Sequence, residues 1–323
     1  MKTIVRVLIL TALVTAEVVG QNSFVPDDQI EKTTFTYKQV ENLKIQADLY
    51  RIRADKSLKP VIVWIHGGAL IFGSRDDLSE EQMKLYLDAG YSVISIDYRL
   101  APETKLREIV SDVKDAIVWI RSNGEKTLGI DPNNIFIIGH SAGAYLALMT
   151  GYILDTPPKG IVSFYGYGDI LGDWYNKPDA YYRTWDLIKK EDADKMIGKS
   201  MITNASFYDR FDFYIFCRQN GLWTKIVSHR DPIKNHDELA YYCPVKNIHP
   251  KYPPTLLIHG DQDTDVPFLQ SQLIEKELAE NSVQHKLITM KGYDHVFDIM
   301  KGGLGNEDIR KAFNEVIDFL DKH

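Results

Sequence analysis

Residues 135–143 read Ile135-Phe136-Ile137-Ile138-Gly139-His140-Ser141-Ala142-Gly143, and the chain runs on as AYLALMTGYIL to Leu154. Four apolar residues in a row, with no polar alternation, are what a strand covered on both faces needs. The residues from 142 to 154 carry helical spacing. The G-H-S-A-G between them is therefore a tight strand-to-helix turn with a serine at its tip. Its glycines permit the strained backbone and the close approach of strand to helix, which leaves the Ser141 hydroxyl standing out above the sheet.

The same rhythm extends in both directions. Short apolar runs recur at 61–65 (VIVWI), 92–96 (SVISI), 160–164 (GIVSF), 255–258 (TLLI) and 285–289 (HKLIT). Stretches of helical spacing lie among them at 79–89, 105–122, 269–280 and 307–321. Ahead of the first run, 33–40 and 43–52 alternate apolar and polar residues around Glu41-Asn42, the pattern of an antiparallel hairpin. Buried strands alternating with helices predict an α/β fold with a mostly parallel central sheet flanked by helices. Residues 167–252 break the rhythm. They contain no buried-strand run, yet they hold 16 of the chain's 36 Phe, Trp and Tyr residues. We read them as a mainly helical cap inserted between core segments 21–166 and 253–323. Most of the rings are expected to make the cap's own small core.

Composition narrows the function classes. The chain has 323 residues, with 38 Lys and Arg against 45 Asp and Glu, a net charge of −7. Nucleic-acid binders carry a basic surplus or stripe, so no nucleic-acid partner is expected. No apolar run approaches the ~20 residues that span a bilayer. Lys2 and Arg6, the apolar residues 7–14 (VLILTALV), and Val18 and Gly20 have the order of a cleavable signal peptide over 1–20. That reading predicts a secreted or periplasmic protein with no stable membrane anchor. The only cysteines are Cys217 and Cys243. A disulfide between them and two buried free thiols both fit the sequence, and a zinc site does not.

The serine needs a base to take its proton and a carboxylate to orient that base. With the serine on a strand-to-helix turn of this kind, acid and base follow in chain order, each past a strand end. Past 255–258 lies His259-Gly260-Asp261-Gln262-Asp263-Thr264-Asp265-Val266-Pro267, and past 285–289 lies Lys291-Gly292-Tyr293-Asp294-His295-Val296. Asp263 and His295 are the candidate acid and base. Asp261, Asp265 and Asp294 are the competing carboxylates. Of the other histidines beyond Asp263, His285 falls in a strand and His323 is the last residue. A third element, His66-Gly67-Gly68-Ala69, follows the strand at 61–65. Glycine lets backbone N–H groups turn toward a substrate oxygen. The N–H groups of Gly68 and Ala142, joined by Gly67 or Ala69, are the candidate oxyanion hole. His66 is expected to pin this loop by hydrogen bonding.

At these residues the sequence resembles the carboxylesterases of the α/β-hydrolase superfamily. HGGA at 66–69, DYRLAPE at 97–103 and GHSAG at 139–143 are similar to the hormone-sensitive-lipase-like esterases. The acid loop HGDQDTDVP resembles instead that of prolyl-oligopeptidase-like hydrolases and of bacterial feruloyl and acetyl esterases. GHSAGA is also similar to arylformamidases. The resemblance implies a serine hydrolase of carboxylic esters with the triad Ser141, Asp263 and His295, and no metal or organic cofactor. It implies short acyl or aryl substrates, including acetyl or feruloyl groups on glycans, and a structural role for DYRLAPE. A serine peptidase, an arylformamidase and a non-catalytic binding module on the same fold are the alternatives. Arg183, Arg210, Arg218 and Arg230 in the cap suggest either a site for a substrate carboxylate or ordinary ion pairs.

Overall fold

A computed structural model describes residues 24–323. The signal peptide expected over 1–20 lies outside the described residues. Eight strands form one sheet: β1 Ile30–Val40, β2 Leu43–Ile52, β3 Lys59–Ile65, β4 Ser92–Ile96, β5 Ile130–His140, β6 Gly160–Phe164, β7 Thr255–Gly260 and β8 His285–Met290. Their spatial order is β1-β2-β4-β3-β5-β6-β7-β8. β1 and β2 form the expected hairpin, and β2 also pairs antiparallel with β4. All the other pairings are parallel.

The apolar runs are explained by cover on both faces. In β3, Val61, Val63 and Ile65 join one core cluster while Ile62 and Trp64 join another. In β5, Ile135 and Ile137 face the first cluster and Phe136 and Ile138 the second. Successive side chains of a strand point to opposite faces, so every position must be apolar when both faces are packed. Helices α1 (Glu80–Asp88) and α11 (Glu307–Lys322) cover the second face, through residues such as Tyr86, Phe313 and Val316. Helices α2 (Leu106–Asn123), α3 (Ala142–Ile153) and α9 (Leu269–Glu280) cover the first.

The segment 167–252 contributes α4 (Asp173–Asn176), α5 (Lys190–Ala193), α6 (Phe207–Asn220), α7 (Trp223–Ser228) and α8 (His236–Ala240). Only α6 exceeds two turns, so the expected helical cap is a set of helical turns joined by loops. Its rings do not form a separate small core. Tyr167, Tyr175, Phe213 and Trp223 join the same cluster as Val63 and Ile137. A short helix α10 (Phe297–Met300) follows β8 and was not foreseen. Cys217 and Cys243 are both buried and unbonded, so the free-thiol alternative holds.

Strand order reverses at β3. From it β4 lies to one side and β5 to the other. In such sheets a crevice opens at this switch point, outside the carboxyl ends of the strands. The HGGA loop and Ser141 leave the sheet there.

Candidate active site

The elbow is built by close packing. Gly139 allows no side chain, since a Cβ would lie 2.2 Å from the Gly143 carbonyl oxygen. A Cβ on Gly143 would in turn lie 2.1 Å from the Ile65 carbonyl oxygen. This packing forces Ser141 to φ 54° and ψ −117°, a region few residues with a side chain adopt. Its N–H donates to Phe164 O at 2.9 Å, which pins the turn to β6. Ser141 is almost fully buried, and its hydroxyl borders a cleft of about 1210 Å³.

Ser141, His295 and Asp263 meet although 154 residues separate the first two. Ser141 Oγ lies 3.0 Å from His295 Nε2, and His295 Nδ1 lies 2.7 Å from Asp263 Oδ2. A carboxylate only accepts, so Nδ1 carries a proton, and in the neutral imidazole Nε2 is left free to accept from the serine. Asp263 Oδ1 takes the backbone N–H groups of Asp265 at 2.9 Å and Val266 at 2.8 Å. Burial disfavours charge on Asp263, but His295 and His259 outweigh it and hold the carboxyl well below the usual range. Burial likewise disfavours charge on His295. Asp263, with Asp265 and Asp294, outweighs it and raises the imidazole to about 9.

The competing carboxylates have other work. Asp261 accepts the Gly292 N–H at 2.6 Å, and Asp294 accepts from Thr264 and from the His295 N–H at 2.7 Å. Both tie the loop that carries Asp263 to the loop that carries His295. Asp265 Oδ2 lies 3.6 Å from His295 Nε2, on the side facing the cleft.

Gly67, Gly68 and Ala69 line the cleft beside Ser141. Gly68 at φ 94°, Ala69 at φ 53° and Leu70 at φ 62° turn this loop through the left-handed region. Its peptide oxygens are tied back: Gly68 O takes the N–H groups of Ile71 and Phe72, Leu70 O that of Ala101, and Ala69 O the indole of Trp223 at 2.9 Å. The N–H groups of Gly67, Gly68 and Ala69 donate to no acceptor among the described residues. Ala142 opens α3, where an N–H has no helical partner. His66 is fully buried against Tyr98, whose ring stacks at 4.1 Å and whose hydroxyl donates to His66 O at 2.9 Å. Burial pushes the His66 imidazole down to about 4, so it stays neutral and pins the loop.

The profile of the family described as BD-FAE matches residues 47–278 of this chain. The chain belongs to the BD-FAE family. It is an α/β-hydrolase. Among curated relatives, the non-reducing polyketide synthase Preu6 of Preussia isomera is 27% identical over 304 residues. That match takes in 84% of this chain and 14% of the synthase, so the chain spans about one-seventh of that relative's length. A solved Staphylococcus aureus protein of unknown function is 26% identical, with TM-score 0.73 over 90% of this chain and 98% of that one. An α/β-hydrolase superfamily protein of Enterococcus faecalis is 22% identical, with TM-score 0.71 over 91% and 99%. An acetyl ester-xyloside bifunctional hydrolase of Caldicellulosiruptor lactoaceticus is 19% identical, with TM-score 0.64 over 90% and 96%.

On this BD-FAE scaffold the four cap arginines do not form a carboxylate site. None lines the cleft. Arg210 pairs with Glu103, Arg218 with Asp179 and Asp265, and Arg230 with Glu238, while Arg183 donates to Gln219 O at 3.4 Å. The DYRLAPE stretch buttresses the site: Asp97 pairs with Arg75, Arg99 with Asp112, and Glu103 with Arg210. Sequence reasoning passed over His259. Its Nε2 faces only acceptors, Val266 O at 3.0 Å and Asp263 Oδ2 at 3.1 Å, while its Nδ1 lies 2.7 Å from Ser271 Oγ. It therefore donates to Asp263 from behind. It also passed over Asp298, which is buried between Tyr165 and Gln82 and holds Tyr165 edge-on against His295. Asp263 follows His259 by four positions, which is a usable signal; nothing local marks Asp298.

Proposed function

We propose that the protein is a serine esterase that hydrolyses carboxylic esters through a covalent acyl-enzyme, with Ser141, His295 and Asp263 as its triad. The observation that carries the reading is the unbroken hydrogen-bonded path from Ser141 through His295 to Asp263 beside the open cleft. In the proposed reaction Ser141 Oγ attacks the ester carbonyl carbon while His295 Nε2 takes the serine proton. The N–H groups of Gly67, Gly68, Ala69 and Ala142 are proposed to hold the oxyanion, where one lost donor typically costs about 3 kcal/mol. Collapse breaks the ester C–O bond, and the departing alcohol takes its proton from His295. A water then gives its proton to His295 and attacks the acyl carbon. Ser141 leaves with that proton, and the acid is released.

Short acyl and aryl esters, including acetyl or feruloyl groups on glycans, are the proposed substrates. Seven cap rings, Tyr181, Tyr182, Trp185, Phe207, Tyr208, Phe211 and Tyr214, line the cleft and offer stacking surfaces for a sugar or an aryl acid. The Caldicellulosiruptor neighbour's acetyl ester-xyloside activity supports the same class. The protein is further proposed to be exported, with cleavage after Gly20; the mass of the mature N-terminus tests this.

The activity test uses p-nitrophenyl acetate, butyrate and octanoate, methyl ferulate and acetylated xylan. Turnover is expected to fall with chain length. Ser141→Ala should lower kcat by a factor on the order of 10⁶, and Asp263→Asn by on the order of 10⁴. Ester turnover that survives Ser141→Ala, or a folded wild type that turns over none of these esters, would remove the proposal.

A further inference from the structure

Asp265 borders the reacting end of His295, and its two oxygens have different surroundings. Oδ1 accepts three hydrogen bonds, from the hydroxyls of Tyr182 at 2.9 Å and Tyr214 at 2.5 Å and from Arg218 Nη1 at 2.7 Å. Arg218 is 1% exposed, is anchored to Asp179 through Nη2 at 2.6 Å, and lies over the rings of Tyr175 and Tyr182 at 5.1 and 5.0 Å. A buried cation, two hydroxyls and an aromatic stack thus fix how the carboxylate is turned. Oδ2 accepts no hydrogen bond among the described residues. Its residue lines the cleft, and it lies 3.6 Å from His295 Nε2, beyond ordinary hydrogen-bond reach.

The position has a chemical meaning that rests on the serine-esterase reading. His295 Nε2 hands its proton to the departing alcohol oxygen, so that oxygen sits within hydrogen-bond distance of Nε2. Oδ2 flanks the same nitrogen. What falls beside Oδ2 is then the group on the carbon next to the esterified one. A hydroxyl there, when gauche to the ester oxygen, lies within hydrogen-bond distance of that oxygen and can be turned toward Oδ2. A carboxylate oxygen can only accept, so it takes a hydroxyl and rejects an ether or an anion. We infer that Asp265 is a specificity-determining residue that selects esters of polyhydroxy alcohols, holding through Oδ2 a free hydroxyl adjacent to the esterified carbon. Monoacylated sugars and glycans with a neighbouring free hydroxyl meet this requirement; peracylated ones do not.

The test compares 2-hydroxyethyl acetate, 2-methoxyethyl acetate and propyl acetate, with p-nitrophenyl acetate as reference. In the wild type, kcat/KM for the hydroxyethyl ester should exceed that for the methoxyethyl ester by about tenfold or more, the scale of a charge-assisted hydrogen bond. In Asp265→Asn the amide oxygen must face the three donors now on Oδ1, which turns the amide N–H₂ toward the cleft. The hydroxyethyl-to-methoxyethyl ratio should then fall to about one or below. Each ratio is taken within one enzyme, so changes in His295 basicity or in the folded fraction cancel. The wild-type comparison stands even if the variant fails to fold, and Asp265→Ser gives a second variant. A wild-type ratio near one, or the same ratio in wild type and variants, would overturn the inference. Wild type inactive on p-nitrophenyl acetate would instead remove the esterase reading.

Discussion

At the scale of single residues, the site is held by strain and by charge. Ser141 keeps a conformation that costs on the order of 1–3 kcal/mol, and it does so because Gly139 and Gly143 leave the turn no other path. His295 is charged by its neighbours. With its proton affinity raised from 6.5 to about 9, its contribution to folding stability is fully present below pH 6.5 and is lost as pH rises through about 9. In the proposed reaction activity runs the opposite way, since His295 must be neutral to take the serine proton. We expect kcat/KM on p-nitrophenyl acetate, corrected for spontaneous hydrolysis, to rise through a limb near pH 9. Asp265→Asn removes one of the carboxylates facing His295 and should move that limb to lower pH. A limb at an unchanged pH in the variant would contradict this electrostatic account.

Among elements, the contact between cap and sheet is the one most exposed to mutation. Arg210 of α6 reaches out of the cap to Glu103 at 2.5 and 2.9 Å and also donates to the carbonyls of Ile71 and Ala101. Both side chains are buried. Removing one partner strands a charge, so Arg210→Met should cost about 3–5 kcal/mol in urea unfolding. Pairing it with Glu103→Leu should recover much of that loss, since two apolar side chains replace two charges. Equal losses in single and double variants would show that the carbonyl contacts, not the ion pair, hold α6. The ends of elements also show what the sequence could carry. The helical spacing over 269–280 coincides with α9, Leu269–Glu280. β5 begins at Ile130, five residues before its apolar run, because Ile130 pairs with Lys59 across an irregularity that no periodicity records.

Over the whole molecule, two packed faces share one sheet, and the cap belongs to the larger of them. Trp64 and Trp119 report on the core, while Trp174, Trp185 and Trp223 report on the cap. Tyr167, Tyr175 and Trp223 pack in the same cluster as the strands, so cap and core should unfold together. Tryptophan fluorescence and far-ultraviolet circular dichroism are expected to give superimposable urea transitions. An early fluorescence transition, with the dichroism unchanged, would mean that the cap opens by itself.

The sequence by itself determined the layered α/β architecture, the elbow serine, and the loops that carry Asp263 and His295. Those features are local: a strand buried on both faces must be apolar throughout, and a strand-to-helix turn this tight needs its glycines. Only the tertiary structure decided that Asp263, among four nearby carboxylates, reaches His295 Nδ1. It alone brought His259 and Asp298 to the site and turned the cap arginines into ion pairs. It also set one oxygen of Asp265, free of hydrogen bonds among the described residues, beside His295 Nε2. Each of these depends on side chains far apart in the chain, whose meeting is set by packing geometry and leaves no period in the sequence.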